Sequence, residues 1–184
     1  CNAKKTETGF SILVLTNDDE YAAYDCRYAI FATGGIGRVY EYATNSAIAT
    51  GDGITIAHEL GAEIKNLSYI QFHPTGFNNK HTRETFLISE SVRGEGAYLK
   101  NCNGERFMQN YDDRLELAPR DVVSHAIMAE AKKTGSDKFY LDITHKDPEF
   151  VRNRFPMINE KLLEAGYDMT KDMIPIFPCH HYLM

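Results

Sequence analysis

The 184-residue chain has no run of about 18 consecutive apolar residues, the length a helix needs to cross a bilayer, so no membrane-spanning segment is expected. It has no long basic run either. Lys and Arg number 20 against 26 Asp and Glu, for a formal net charge of −6. Phosphate backbones are held by local positive charge, so nucleic acid is not an expected partner. The four cysteines, Cys1, Cys26, Cys102 and Cys179, form no CxxC pair. Free thiols in a reducing, cytoplasmic setting are the expected state. The seven histidines, His58, His73, His81, His125, His145, His180 and His181, show neither HExxH nor zinc-ligand spacing, and no metal site is expected. No Gly-x-Ser-x-Gly elbow is present, which argues against a serine hydrolase.

What is present is a globular composition, 43% hydrophobic and 25% charged, sufficient for a buried core. Residues 10–16, a turn over Asn17–Glu20 and a return over 21–26 predict a hairpin. Residues 28–33 form a continuous apolar run of the kind buried in a parallel sheet. Glycines at 51, 53 and 61 bracket a predicted helix. The texture changes near Asn66. Beyond it, Asn103-Gly104 predicts a hairpin tip between residues 97–101 and 106–108. Pro119 to Thr134 predicts an amphipathic helix, with Pro119 in its first turn and Gly135 at its end. Residues 139–143 predict a strand. Asp147-Pro148 predicts a capped helix interrupted at Pro156 and resumed to Ala165. Strands and helices without regular alternation predict an α+β fold for the second half. The closing run, residues 178–184, reads as the middle of a segment, so a fragment of a longer protein is expected.

Four segments carry the chemistry: residues 70–76 (IQFHPTG), 89–96 (SESVRGEG), 117–121 (LAPRD) and 180–182 (HHY). Each places a cation or short hydroxyl at an expected loop or element end. Together they offer His73, Thr75, Ser89, Glu90, Arg120 and His181. An arginine grips a carboxylate with two parallel hydrogen bonds, and histidines and hydroxyls complete a second carboxylate site. The set suits a small dicarboxylate. Separately, Thr33-Gly34-Gly35 follows the apolar run, and Thr50-Gly51-Asp52 opens a helix. Glycines allow close backbone approach, and a helix start favours anionic groups.

In order and spacing these motifs resemble the flavoprotein family of succinate dehydrogenase, fumarate reductase and L-aspartate oxidase, over nearly the whole chain. Residues 42–53, 132–142, 154–166 and 174–178 are most similar to the L-aspartate oxidase branch. The resemblance implies the capping domain of a flavoprotein oxidoreductase, residues 67–184, preceded by a remnant of the α/β FAD-binding domain, residues 1–66. It implies non-covalent FAD bordered by Thr33, Gly34, Gly35, Thr50, Gly51 and Asp52. His73, Thr75, Ser89 and His181 would bind substrate. Arg120 would act beside the flavin, and Glu90 falls where fumarate reductases place a member of a proton relay. Ser89 departs from the usual Thr by one methyl group but keeps the hydroxyl. His180 stands where the family has a small residue and is expected to be structural. The GxGxxG fingerprint of the family is absent. The implied activity is oxidation of L-aspartate to iminoaspartate, the entry step of NAD biosynthesis, with a functional link to quinolinate synthase. Two alternatives stand beside it: a fumarate reductase or succinate dehydrogenase subunit with an iron–sulfur partner, and a non-catalytic dicarboxylate-binding module.

Overall fold

Strand pairing divides the β-structure into two antiparallel sheets of different character. The computed structural model describes residues 1–79 and 83–183. The first sheet is a meander of β1 (Asn2–Thr6), β2 (Gly9–Leu15) and β3 (Tyr21–Cys26). The predicted hairpin is β2–β3, in register from Phe10 opposite Cys26 to Leu15 opposite Tyr21. Strand β1 is polar and mostly exposed, so no apolar alternation announces it.

Residues 28–33 do not form the parallel strand expected of them. Tyr28 is 87% exposed and Ile30 93% exposed, and the segment pairs with no strand. A parallel strand needs a ladder on its edges and helices on its faces. Among the described residues nothing flanks this segment in that way. The strand ladders among them are antiparallel, and parallel pairing is confined to isolated bridges of Ala43 with Glu84 and with His180.

The second sheet has the order β4-β7-β6-β5, built from β4 (Ile70–Phe77), β5 (Tyr98–Lys100), β6 (Phe139–Asp142) and β7 (Ile174–Leu183). The core cluster of fully buried apolar residues runs from Phe77 to Ile176 and includes Leu99, Phe107, Ile127, Leu141 and Leu162. The second half is thus the α+β unit predicted. Helices α1 (Asp52–Glu59), α2 (Glu90–Gly94), α3 (Arg120–Thr134), α4 (Pro148–Arg154) and α5 (Pro156–Glu164) complete the elements. Helix α3 buries Val123, Ala126 and Ile127 and ties to the sheet where Ser124 Oγ donates to the Phe72 carbonyl at 2.9 Å. Pro119 is its N-cap and not part of its first turn, because its ψ of 153° is extended. Gly135 ends it in the left-handed region, as predicted. Asp147 caps α4 by accepting from the Phe150 N–H at 2.8 Å. At the Asn103-Gly104 tip the Asn101 side chain accepts from the N–H groups of Asn103 and Glu105. The returning arm makes a single bridge, Arg106 to Lys100, and then turns into a 3-10 helix at Met108.

One segment from the first third docks on the second sheet. The Thr44 N–H donates to the His180 carbonyl, the His180 N–H to Tyr42, and the Thr85 N–H to Ala43. No helix among the described residues is long and apolar enough to cross a membrane.

The β4–β7 contact depends on Gly76. A methyl group there would lie 2.5 Å from Cys179 Sγ and 2.8 Å from Thr85 Cγ2. Gly76→Ala should therefore destabilise the chain by about 2 kcal/mol, lowering the thermal midpoint by about 6 °C. An unchanged midpoint in a thermal melt would contradict this packing.

Candidate active site

His73 and Thr75 lie inside strand β4, and His181 lies inside β7, not in loops or at element ends as the sequence suggested. Their unusual placement comes from two breaks in the strand register. Gln71 pairs with Tyr182 and Phe72 with His180, which makes His181 the extra residue of a bulge. His73 pairs with Cys179 and Gly76 with Phe177, leaving Pro74 and Thr75 against Pro178. Neither proline has an N–H to donate, so the ladder cannot continue there. The first bulge aims two consecutive histidines at different surroundings. His181 meets the His73 ring at 5.3 Å between centroids. His180 stacks on Tyr40 at 4.7 Å and is fully buried, the packing role expected of it.

Helices α2 and α3 bring the charges. Arg120, at the start of α3, donates from Nε to Glu90 Oε2 at 2.7 Å and from Nη1 to Gln71 Oε1 at 3.0 Å. Glu90, at the start of α2, also faces the buried Arg93, with Nη2 to Oε1 at 3.8 Å. Arg93 Nη1 donates to the Glu116 carbonyl. Two guanidiniums thus share one carboxylate, a local positive excess in a chain of net charge −6.

His73 is fully buried, and its tautomer can be read from its neighbours. The Thr75 N–H approaches Nδ1 at 3.3 Å and must be the donor, while the Thr75 hydroxyl donates to the Ile88 carbonyl at 2.8 Å. Nδ1 is therefore the acceptor and the neutral ring carries its proton on Nε2. That N–H is buried and makes no hydrogen bond among the described residues. Burial, with Arg120, His181 and Arg93 nearby, pushes the His73 pKa down to about 3. Burial and Arg120 lower His181 as well. His181 Nδ1 lies 2.6 Å from Thr44 Oγ1, and its carbonyl accepts from Asn45 Nδ2 at 3.2 Å. An open cleft of about 640 Å³ lies beside Thr44, Asn45, Glu84, Thr85 and His181. His73 lies beneath the surface, and the cleft reaches the cluster through His181.

Of the predicted residues, His73, Thr75, Glu90, Arg120 and His181 converge. Ser89 stands beside Glu90, where its hydroxyl caps α2 by accepting from the Ser91 N–H. The sequence reading missed Gln71, Arg93, Thr44 and Asn45. Gln71 sits in the same short motif as His73, two residues away, so strand alternation could have found it. Arg93 lies three residues from Glu90 on the same helix, a local spacing that could also have found it, whereas Thr44 and Asn45 reach the cluster through tertiary contacts alone. His81 lies outside the described residues.

The two glycine sites also come together. A methyl group on Gly53 would lie 1.9 Å from Thr33 Oγ1, and one on Gly51 would lie 2.9 Å from Ile36 Cγ2. The Thr33 segment thus packs against the start of α1. Gly34 and Gly35 have open space where a side chain would be, and Gly34 holds φ at 78°. This bare, open backbone fits a close-lying flavin nucleotide. A bridge joins the two clusters: a methyl group on Gly37 would lie 2.2 Å from Asn45 Oδ1, and Asn45 holds His181.

A family described as FAD binding domain matches residues 6–184. The L-aspartate oxidase of Yersinia pestis is 49% identical over 164 residues, covering 89% of this chain and 31% of that protein. That of Clostridium perfringens is 48% identical over 172 residues, covering 93% and 38%. Among solved structures, a variant of the E. coli quinol fumarate reductase shares the fold with a TM-score of 0.86 at 30% identity, covering 99% of this chain and 34% of that one. The chain spans about a third of the length of these proteins. With the match running through both the glycine sites and the histidine–arginine cluster, the chain belongs to the family of FAD-binding domains.

Proposed function

We propose that this chain is the substrate-holding section of an FAD-dependent L-aspartate oxidase, which converts L-aspartate to iminoaspartate. The observation that carries the reading is the gathering of His73, His181 and, through Gln71, Arg120 about the β4–β7 pair. In this reading residues 67–184 are the capping domain, and residues 1–66 contribute Thr33, Gly34, Gly35, Thr50, Gly51 and Asp52 to the FAD border. The enzyme would work in the cytoplasm, and its product would pass to quinolinate synthase. Identity of 49% with an L-aspartate oxidase against 30% and 37% with two quinol fumarate reductases favours the oxidase over its nearest alternative.

The residues divide the work by charge. Arg120 holds one substrate carboxylate, and its charge is permanent, so it orients and stabilises but does not accept a proton. His73 offers its Nε2–H to a carboxylate oxygen, and His181 and the Ser89 hydroxyl add polar contacts, while Thr75, whose one hydroxyl proton goes to the Ile88 carbonyl, acts by fixing the His73 tautomer. Held in this way, the Cα–H bond of the substrate keeps one orientation. FAD, when bound, supplies the acceptor of the hydride leaving Cα. The amine lone pair forms the C=N bond, so the ammonium must first lose a proton. Glu90 touches both guanidiniums and is 46% exposed at its side chain, and in this reading it passes that proton to water.

Arg120→Lys tests the clamp, because lysine keeps the charge and loses the two-pronged geometry. In the full-length enzyme kcat/KM for L-aspartate should fall about a hundredfold, equivalent to about 3 kcal/mol, with the melting temperature unchanged. Near-normal turnover would remove Arg120 from the site, and a collapsed melting temperature would make it structural. The pH dependence of stability tests His73. Its pKa is about 3 in the fold against an ordinary 6.5. A histidine depressed on folding contributes stability that is complete above the unfolded pKa and lost as pH falls towards the folded one. Urea midpoints should therefore fall from about pH 6.5 towards pH 3, and His73→Asn should flatten that decline. Equal slopes for the two proteins would show that His73 is not held neutral.

A further inference from the structure

Glu116 carries a second feature, and it lies outside the substrate cluster. It is a carboxylate only 3% exposed, four residues before Arg120. Oε1 accepts from the Leu99 N–H at 3.1 Å and from Arg106 Nε at 3.0 Å, and Oε2 accepts from Arg106 Nη2 at 2.6 Å. The Arg106 guanidinium lies over the Tyr98 ring at 4.2 Å, which fixes it from the other side. The backbone carbonyl of the same residue receives Arg93 Nη1. Arg93 faces Glu90, and Glu90 holds Arg120. A continuous series of polar contacts therefore runs from strand β5 to the Arg120 guanidinium.

The backbone beside Glu116 gives an independent sign that this turn is held in place. Leu115 has φ at 54°, in the left-handed region that a leucine disfavours. Such a conformation persists where the surroundings over-determine it, and it clusters at sites whose geometry matters. The 3-10 turn Leu115–Leu117 leads through buried Ala118 and extended Pro119 directly into α3, whose first residue is Arg120. The position of the turn sets where that helix begins.

We propose that Glu116 is a positioning residue for Arg120, locking the 115–119 turn to β5 by its side chain and the Arg93–Glu90 pair by its carbonyl. This rests on the reading of Arg120 as the substrate clamp. Glu116→Gln keeps the shape and the carbonyl but breaks the two-pronged match to Arg106. Arg106→Lys weakens the same pair from its more exposed side and is the second variant should the first fold poorly.

The test is a mutant cycle in the full-length, FAD-loaded enzyme, with rates expressed per bound flavin. Glu116→Gln should lower kcat/KM for L-aspartate about tenfold and weaken succinate binding, read from the flavin spectrum, by a similar factor. Arg106→Lys should act in the same direction by a few-fold. Either change should have no further effect when Arg120→Ala is already present, because both act through Arg120. A loss that persists in full in the Arg120→Ala background would overturn the proposal, as would normal rates per bound flavin with only a lowered melting temperature. If Arg120→Ala by itself leaves kcat/KM unchanged, the reading of the site fails instead, and the two failures are thereby told apart.

Discussion

The pairing of β4 with β7 is the constraint on which the site depends. A regular antiparallel ladder would alternate side chains from face to face along each strand. The extra residue at His181, and the two prolines that interrupt the ladder beyond His73, break that alternation where His73 and His181 stand. Gly76 allows the strands to close over Cys179. The same pairing carries Gln71 towards Arg120 and gives residues 42–44 their docking edge. Sheet geometry thus does the aiming that loops do in many enzymes.

Electrostatics then sorts the residues into fixed charges and neutral donors. Arg120 and Arg93 surround one carboxylate, and their field, added to burial, keeps His73 neutral. A neutral histidine with a defined tautomer is a directional donor. A dicarboxylate held here would meet positive charge at Arg120 and a neutral N–H donor at His73.

Much of this was legible in the sequence where the signals are local. The caps at Asp147 and Gly135, the break at Pro156 and the Asn103-Gly104 tip all follow from backbone chemistry within a few residues, and all are present. His73, Glu90, Arg120 and His181 stand out in the sequence because short motifs surround them, and tertiary contacts then bring them near one another. What could not be read was anything set by partners distant in the chain. Residues 28–33 have the composition of a buried strand, but composition does not supply a neighbouring ladder. Thr44 and Asn45 join the site through contacts more than 130 positions away. The bulge at His181 was hidden for the same reason, because register belongs to a pair of strands and not to either one.

The central question is which small molecule the proposed site holds beside a flavin. Anaerobic mixing of the full-length flavoprotein with L-aspartate, followed by flavin absorbance, tests that most directly. Bleaching of the oxidised flavin by L-aspartate and not by succinate is the predicted result. Bleaching by succinate with no response to L-aspartate would contradict it.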